Sequence, residues 1–486
     1  MKAAGVFKSL LLLSGWAVAA WLLFARPLEP IALAPPKERG TPMPPPSEAT
    51  PVDAVFRDWS ADPSLAGALV GFCLLDSTGK VIFSSPLAES ALCPASALKT
   101  VTTAAALELL GDNFKFESFL HSSAEIDGEG VLDGDLVFAG HGDPTLSSDD
   151  LERFARALGL NRGLKRVRGR LLVDASYFPS PPVNDHWNWG DIGNAYGAGA
   201  FGVNLDHNRM VLRFEPGARP GDPARLVDAK PMTPQPEWDH QVTTGPAGSG
   251  DRVTVYSEPY GRRVTLRGTV PAGVEYFAVN AAIPDPPKLV EEILMSRLQE
   301  EFGVVFEGRP YPAESRIRAN SKFLIGNPSA KLPEIIDHLH RVSDNLEAQC
   351  LFLTMGVEKK GDPAEVIRRH WESRGVTFTG LRLIDGSGLA RANMIRPLDL
   401  AMVNHLARRG PHGERFRQSL TSDLDGKVRS KLGAMSGVKT EVGFITSEDS
   451  REVTFALMAN GLDPEVDFWS LREKLLRGVA AKLTRQ

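Results

Sequence analysis

The stretch Pro94-Ala95-Ser96-Ala97-Leu98-Lys99-Thr100 decides how this chain is read. It opens an apolar, Ala-rich run that continues to Leu110 and stops at Gly111. A proline before the start and a glycine after the end frame a helix. Ser96 and Lys99 stand three apart, so they share one face of it. A buried lysine next to other cations sheds its proton and can serve as base for a serine hydroxyl. The helix start adds positive potential and free N–H groups beside the nucleophile. Ser77…Lys80 and Ser436…Lys439 have the same spacing, but the first falls on a hairpin turn and the second on a strand. Taken alone, the motif also reads as an N-cap serine with a solvated lysine.

Two further stretches carry matching chemistry. Ser343-Asp344-Asn345 is the single Ser-x-Asn of the chain and lies just before an apolar helical run. A hydroxyl and an amide on one turn can bridge a lysine, a leaving group and a substrate carbonyl. By itself this triplet reads as a helix cap. Lys431-Leu432-Gly433 ends a predicted strand, and another strand follows Gly437. A strand-borne lysine beside a small residue lets a substrate backbone pair along the edge. Lys439-Thr440-Glu441 lacks the glycine. The order Ser-x-x-Lys, Ser-x-Asn, Lys-x-Gly on a helix, a helix start and a strand is far more specific than any one part.

Around these motifs the apolar pattern predicts a hairpin over 68–83, turning at Asp76-Ser77-Thr78-Gly79. Residues 114–309 are rich in short strands, Gly and Pro, with one amphipathic helix at 289–302. Helices return at 332–340, 345–357, 363–374 and 397–409. Strands at 428–431, 437–446 and 452–460 and a closing helix at 467–482 end the chain. Terminal strands, central helices and a closing helix suit one sheet covered by helices, with the middle inserted into it. The expected fold is α/β and multi-domain. Residues 52–113 and 310–486 make an antiparallel sheet with helices on both faces, and 114–309 form β-rich inserted domains between the first two motifs.

Length and composition agree. A chain of 486 residues is too long for one compact core. With 55 Lys plus Arg against 60 Asp plus Glu, the net charge is −5, which disfavours a phosphate-tracking nucleic-acid binder. No P-loop appears, which disfavours nucleotide hydrolysis. No metal-ligand spacing is present, His186, His207 and His405 stand isolated, and no metal or cofactor is expected. Lys2 and Lys8 precede an apolar run over 9–25 that ends at Arg26, which reads as an export signal or an uncleaved membrane anchor over 1–26. The positive flank places the remainder outside the cytoplasm, in the periplasm or cell envelope. A Pro-rich linker over 27–51 follows. Cys73, Cys93 and Cys350 would meet an oxidising space; an odd count leaves at least one thiol unpaired, and the pairing stays open.

From about Val52 to Leu483 the chain resembles the class C low-molecular-mass penicillin-binding proteins, the D-alanyl-D-alanine carboxypeptidase/endopeptidases. The residues that carry the resemblance are 94–100, Gly134-Asp135-Leu136 with Gly142-Asp143-Pro144-Thr145-Leu146, and Asp385-Gly386-Ser387-Gly388-Leu389. The gap of about 250 residues between Ser96 and Ser343 is similar to the insertion that marks the class. The resemblance implies a DD-peptidase/β-lactamase-like transpeptidase domain that hydrolyses peptidoglycan stem peptides and takes β-lactams as covalent inhibitors. It implies that Ser96 is acylated, with Lys99 as its base. Ser343 and Asn345 relay protons and hold the substrate amide, and Lys431 tunes the site. The backbone N–H groups of Ser96 and Ala434 form the oxyanion hole. Trp187-Asn188-Trp189-Gly190-Asp191-Ile192 resembles the inserted segment that meets the peptide's terminal amine, which implies that role for Asp191, with Tyr196 as an apolar wall. Arg391 is placed at the site's margin.

One departure stands out. The third motif of that family carries Thr in its middle and commonly a hydroxyl after the glycine, where this chain has Leu432 and Ala434 flanking Gly433. Losing a polar partner costs roughly 1–3 kcal/mol per bond. Weakened handling of the terminal carboxylate is expected. The outcome is either an endopeptidase with relaxed carboxylate demand or an impaired homologue kept for binding cell-wall peptide.

Overall fold

The computed structural model describes residues 51–231, 236–309, 322–447 and 449–483. The expected membrane segment lies outside the described residues, as does all of the expected linker but Pro51, which is the first residue of a helix, α1 (Pro51–Ser60). No helix among the described residues is long and apolar enough to cross a membrane.

The two ends of the folded chain build one sheet. Its strands are β1 (Leu69–Leu75), β2 (Val81–Ser84), β3 (Thr421–Asp423), β4 (Val428–Met435), β5 (Val438–Thr446) and β6 (Glu452–Asn460), in the order β3-β4-β5-β6-β1-β2. Every neighbouring pair is antiparallel. Successive side chains of a strand point to opposite faces, and here both faces are covered. Cys73, Leu75, Ala456 and Met458 enter one apolar cluster with the central helices. Phe72, Leu74, Phe455 and Leu457 enter another with α1 and the closing helix. That is why these strands read as continuous apolar runs rather than as alternation.

On the first face lie α2 (Lys99–Leu110), α3 (Leu332–Val342), α4 (Asn345–Glu358), α5 (Pro363–Ser373), α6 (Pro397–Arg409) and the short α7 (Gly413–Ser419). α2 is buried from Lys99 through Leu107 and so is apolar all round, as a central helix must be. Its start differs from expectation. Ser96 sits in a 3₁₀ turn, Ala95–Leu98, and the α-helix begins at Lys99. On the second face α8 (Phe468–Lys482) packs on α1, where Trp59 Nε1 donates to the Leu471 carbonyl at 2.7 Å.

The insertion carries its own sheets and its own core, centred on Leu120, Phe138, Leu212, Leu266 and Leu294. Its four-stranded sheet runs Lys322–Pro328, Glu117–Ser122, Leu136–Gly140, Leu171–Asp174. Because Lys322–Pro328 pairs antiparallel with Glu117–Ser122, the chain leaves the inserted sheets after residue 328, later than the expected seam at 309. In that strand only Leu324 is buried, so there is no alternation to read. Cys73, Cys93 and Cys350 are free and buried.

Candidate active site

Ser96, Ser343 and Lys431 come from three distant segments and meet at one cleft of about 410 Å³. Ser96, Asp191, Tyr196, Ser343, Asn345, Arg391 and Ala434 line it. Larger hollows occur, up to about 690 Å³ beside Pro63 and Asp467, but none holds a hydroxyl paired with a buried amine.

Lys99 is fully buried. Its Nζ lies 2.9 Å from Ser96 Oγ, 2.6 Å from Asn345 Oδ1 and 2.8 Å from the Ser387 carbonyl. Burial, reinforced by the charge of Lys431, holds its amine well below the usual lysine range. A neutral amine keeps two N–H groups and one lone pair. With the two N–H groups on Asn345 Oδ1 and Ser387 O, the lone pair is left for the hydroxyl proton of Ser96.

Ser343 is not the cap of α4. Asp344 is, accepting from the Glu347 N–H at 2.9 Å. Ser343 takes φ 61°, ending α3 in the left-handed region. The sharp break between two helices turns both Ser343 and Asn345 toward the cleft. Lys431 Nζ donates to Ser343 Oγ at 2.9 Å and to the Leu432 carbonyl at 2.8 Å. Burial lowers this second amine to about 8.

Gly433 lets β4 lie against the turn that carries Ser96. A Cβ there would come within 2.8 Å of Ala97 N and 2.9 Å of Pro94 O, both backbone atoms. Leu432 is 36% exposed and Ala434 is exposed on the same strand face. β3 pairs only with Val428, Arg429 and Ser430, which leaves residues 431–435 with one unpaired edge among the described residues.

The loop 385–390 is closed by one side chain. Asp385 is fully buried. Its carboxylate accepts from Ser387 N at 2.9 Å, Gly388 N at 2.6 Å, Ala390 N at 2.7 Å and Trp187 Nε1 at 2.8 Å. An Asp ahead of Gly-Ser-Gly is the signature of such a side-chain-closed turn. This turn aims the Ser387 carbonyl at Lys99, a contact that sequence reasoning did not find.

The inserted region closes the cleft. Asn345 Nδ2 donates to the Tyr196 carbonyl at 2.7 Å. Tyr196 is half exposed, and its hydroxyl donates to Asp191 Oδ1 at 2.9 Å, so it orients the carboxylate as well as walling the cleft. Asn188 Nδ2 holds the other oxygen at 2.9 Å. Arg391 Nη1 donates to the Ser436 carbonyl at 3.0 Å. His207, isolated in the sequence, is not isolated in space: its Nδ1 is 3.4 Å from Asp344 Oδ2.

Known proteins are similar to this chain in sequence and in fold. The D-alanyl-D-alanine carboxypeptidase of Actinomadura sp. (strain R39) is 29% identical over 448 residues, spanning 84% of this chain and 80% of its own. The D-alanyl-D-alanine carboxypeptidase DacB of Haemophilus influenzae is 23% identical over 417 residues, spanning 81% of this chain and 86% of its own. The crystal structure of penicillin binding protein 4 (dacB) from Haemophilus influenzae superposes with a TM-score of 0.75 at 21% identity, covering 88% of this chain and 99% of that one. The same protein complexed with a β-lactam gives 0.70 at 20% identity, with the same coverage. The model of the D-Ala-D-Ala carboxypeptidase 3 (S13) family matches residues 53–473. A match of that extent, on a chain whose serine, lysines and asparagine converge as a serine peptidase requires, places it plainly: the chain belongs to the D-Ala-D-Ala carboxypeptidase 3 (S13) family of low-molecular-mass penicillin-binding proteins.

Proposed function

We propose that this serine D-Ala-D-Ala carboxypeptidase hydrolyses peptidoglycan stem peptides through an acyl-enzyme on Ser96, with weakened grip on the substrate's terminal carboxylate. The observation that carries this reading is the 2.9 Å approach of the buried Lys99 amine to Ser96 Oγ. Lys99 takes the hydroxyl proton, and Ser96 Oγ attacks the peptide carbonyl. The N–H groups of Ser96 and Ala434 receive the oxyanion. Successive residues of an antiparallel strand turn their N–H and C=O to opposite edges, so residues two apart share an edge. The Leu432 carbonyl, held by Lys431 Nζ, shares its parity with Ala434, which supports an Ala434 N–H facing the open edge. Ser343, held by Lys431, relays to the leaving amine the proton that Lys99 took from Ser96, and water then attacks the acyl carbonyl and releases the acyl group as a carboxylate. Asn345 orients both Lys99 and the substrate amide. Asp191, fixed by Tyr196 and Asn188, meets a cationic amine on the peptide.

Leu432 favours a second reading, a homologue that binds wall peptide with little turnover. β-Lactams acylate Ser96 weakly in either case, because Leu432 and Ala434 offer no hydroxyl to the β-lactam carboxylate. The protein acts in the cell envelope, exported and held at the membrane by residues 9–25 where that segment is kept. Incubation with a cross-linked muropeptide decides between the readings. Cleavage that Ser96→Ala lowers by at least about 10⁴-fold supports the hydrolase. Binding without cleavage by the unaltered chain supports the second.

A further inference from the structure

Behind the second motif, three segments with no linear spacing meet. The turn Asp206–Asn208 comes from the inserted region, His338 from α3 and Glu347 from α4. Asp206, His207 and Asn208 take φ of 49°, 55° and 51°, three consecutive left-handed residues that are not glycine. The turn brings His207 Nδ1 to 3.9 Å from Glu347 Oε1, and His338 Nδ1 lies 2.8 Å from the same oxygen. The two imidazole centroids are 5.3 Å apart.

Two buried carboxylates meet here, and only one of them has an arginine partner among the described residues. Asp344 is answered by Arg209, whose Nη2 is 2.5 Å from Asp344 Oδ2. Glu347 is fully buried and has no Lys or Arg ion pair among the described residues. Its Oε2 has no hydrogen-bond partner among them, and neither does His207 Nδ1 within regular geometry.

We propose that His207, His338 and the Glu347 carboxylate form a binding site for a divalent cation of the zinc class. One ligand atom from each lies within 4.8 Å of the others. Zinc–ligand bonds of about 2.0–2.1 Å place tetrahedral ligand atoms about 3.4 Å apart, within the range this cluster spans. Two imidazoles and one carboxylate suit zinc better than calcium or magnesium, which prefer all-oxygen sets. The side chains of His207 and His338 are 28% and 34% exposed, which leaves an entry path and a fourth position for water. The site would clip the inserted region to the two helices that flank Ser343.

Tag-free full-length chain, stripped with a chelator and dialysed, is titrated with Zn²⁺ against a chromophoric chelator and separately with Co²⁺. The expected result is one equivalent per chain, visible absorption typical of four-coordinate Co²⁺, and a Tm raised by Zn²⁺. His207→Ala and His338→Ala should each lower affinity at least about 100-fold, more than losing an outer-shell partner does, and erase the Tm rise. His186→Ala, an exposed histidine elsewhere, should leave both unchanged. His338→Gln preserves bulk and should lose the metal with an unchanged circular-dichroism spectrum, so a misfolded alanine variant does not decide the matter. No stoichiometric binding by the unaltered chain, or affinity kept within about threefold in His338→Gln, overturns the proposal.

Discussion

The Ser387 carbonyl accepts a hydrogen bond of 2.8 Å from the buried Lys99 amine, and this contact fixes which way the amine's lone pair points. Lys99 has no freedom of its own: Asn345 Oδ1 takes a second N–H direction at 2.6 Å. The remaining direction faces Ser96. The loop that supplies the Ser387 carbonyl is in turn closed by the Asp385 carboxylate, so the Lys99 amine is aimed by a residue that does not line the cleft.

Asp385→Ala should therefore injure both fold and rate. It strands the buried N–H groups of Ser387, Gly388 and Ala390 and the indole N–H of Trp187. Each stranded donor costs roughly 1–3 kcal/mol, so a loss of at least about 3 kcal/mol is expected in urea unfolding. Acylation of Ser96 by a fluorescent penicillin should slow by more than about 10-fold, since the Ser387 carbonyl no longer orients Lys99. An unchanged unfolding midpoint would show that the loop is held by something else.

The two lysines set a pH profile with opposite limbs. In the proposed mechanism Lys99 works as the neutral amine, so acylation should rise with pH as it loses its proton. In the same mechanism Lys431 works as the cation, and burial lowers its amine to about 8, so the rate should fall above that. Removing its charge with Lys431→Met takes away a cation that depresses Lys99. The Lys99 amine then holds its proton more tightly, and the acid limb moves to higher pH, while the fall near 8 disappears. The sign on stability is also set. Lys431 loses its proton earlier when folded than unfolded, so its contribution to stability grows as pH rises from about 8 to about 10.4. Second-order acylation rates across this range check the first claim, and an acid limb that stays in place in Lys431→Met would contradict it.

How much of this was legible differs by residue, for physical reasons. The sheet and central helices follow from apolar runs such as those of β5, β6 and α2, because burial on both faces leaves an unmistakable composition. The three motifs were legible because helix and strand spacing place their side chains locally. The strand Lys322–Pro328 was not, since a mostly exposed strand keeps no pattern. Nor was the Ser387 carbonyl, because backbone groups leave no mark on residue identity. The pairing of Arg209 with Asp344 joins residues 135 apart, and no local rule reports such a contact.

Leu432 is the residue on which the two functional readings divide. Its side chain is exposed on the same strand face as Ala434, and neither can hydrogen-bond a carboxylate. Leu432→Thr should restore one bond to a charged acceptor, worth roughly 1.5–3 kcal/mol, or at least about 10-fold in the rate of penicillin acylation. The gain should be absent with an ester or amide substrate that lacks a terminal carboxylate. Equal gains on both would mean that Leu432 acts by shape rather than by withholding a hydroxyl.

Asp191 offers the sharpest test of what the inserted region recognises. Tyr196 and Asn188 hold its two oxygens at 2.9 Å each, so the carboxylate is positioned without a cation among its hydrogen-bond partners. Burial and the neighbouring Asp191 push the Tyr196 phenol up to about 12, so it stays a donor at neutral pH. An ammonium on the substrate would supply the missing charge. Asp191→Asn keeps the shape and removes the charge. It should raise KM about 10-fold for a stem peptide with a free side-chain amine, in line with roughly 1.5 kcal/mol for a charge-assisted bond. It should leave KM for the N-acetylated peptide, and penicillin acylation of Ser96, within about twofold, because neither presents that amine. A uniform loss across all three would instead mean that the substitution disturbs Tyr196 and, through its carbonyl, Asn345.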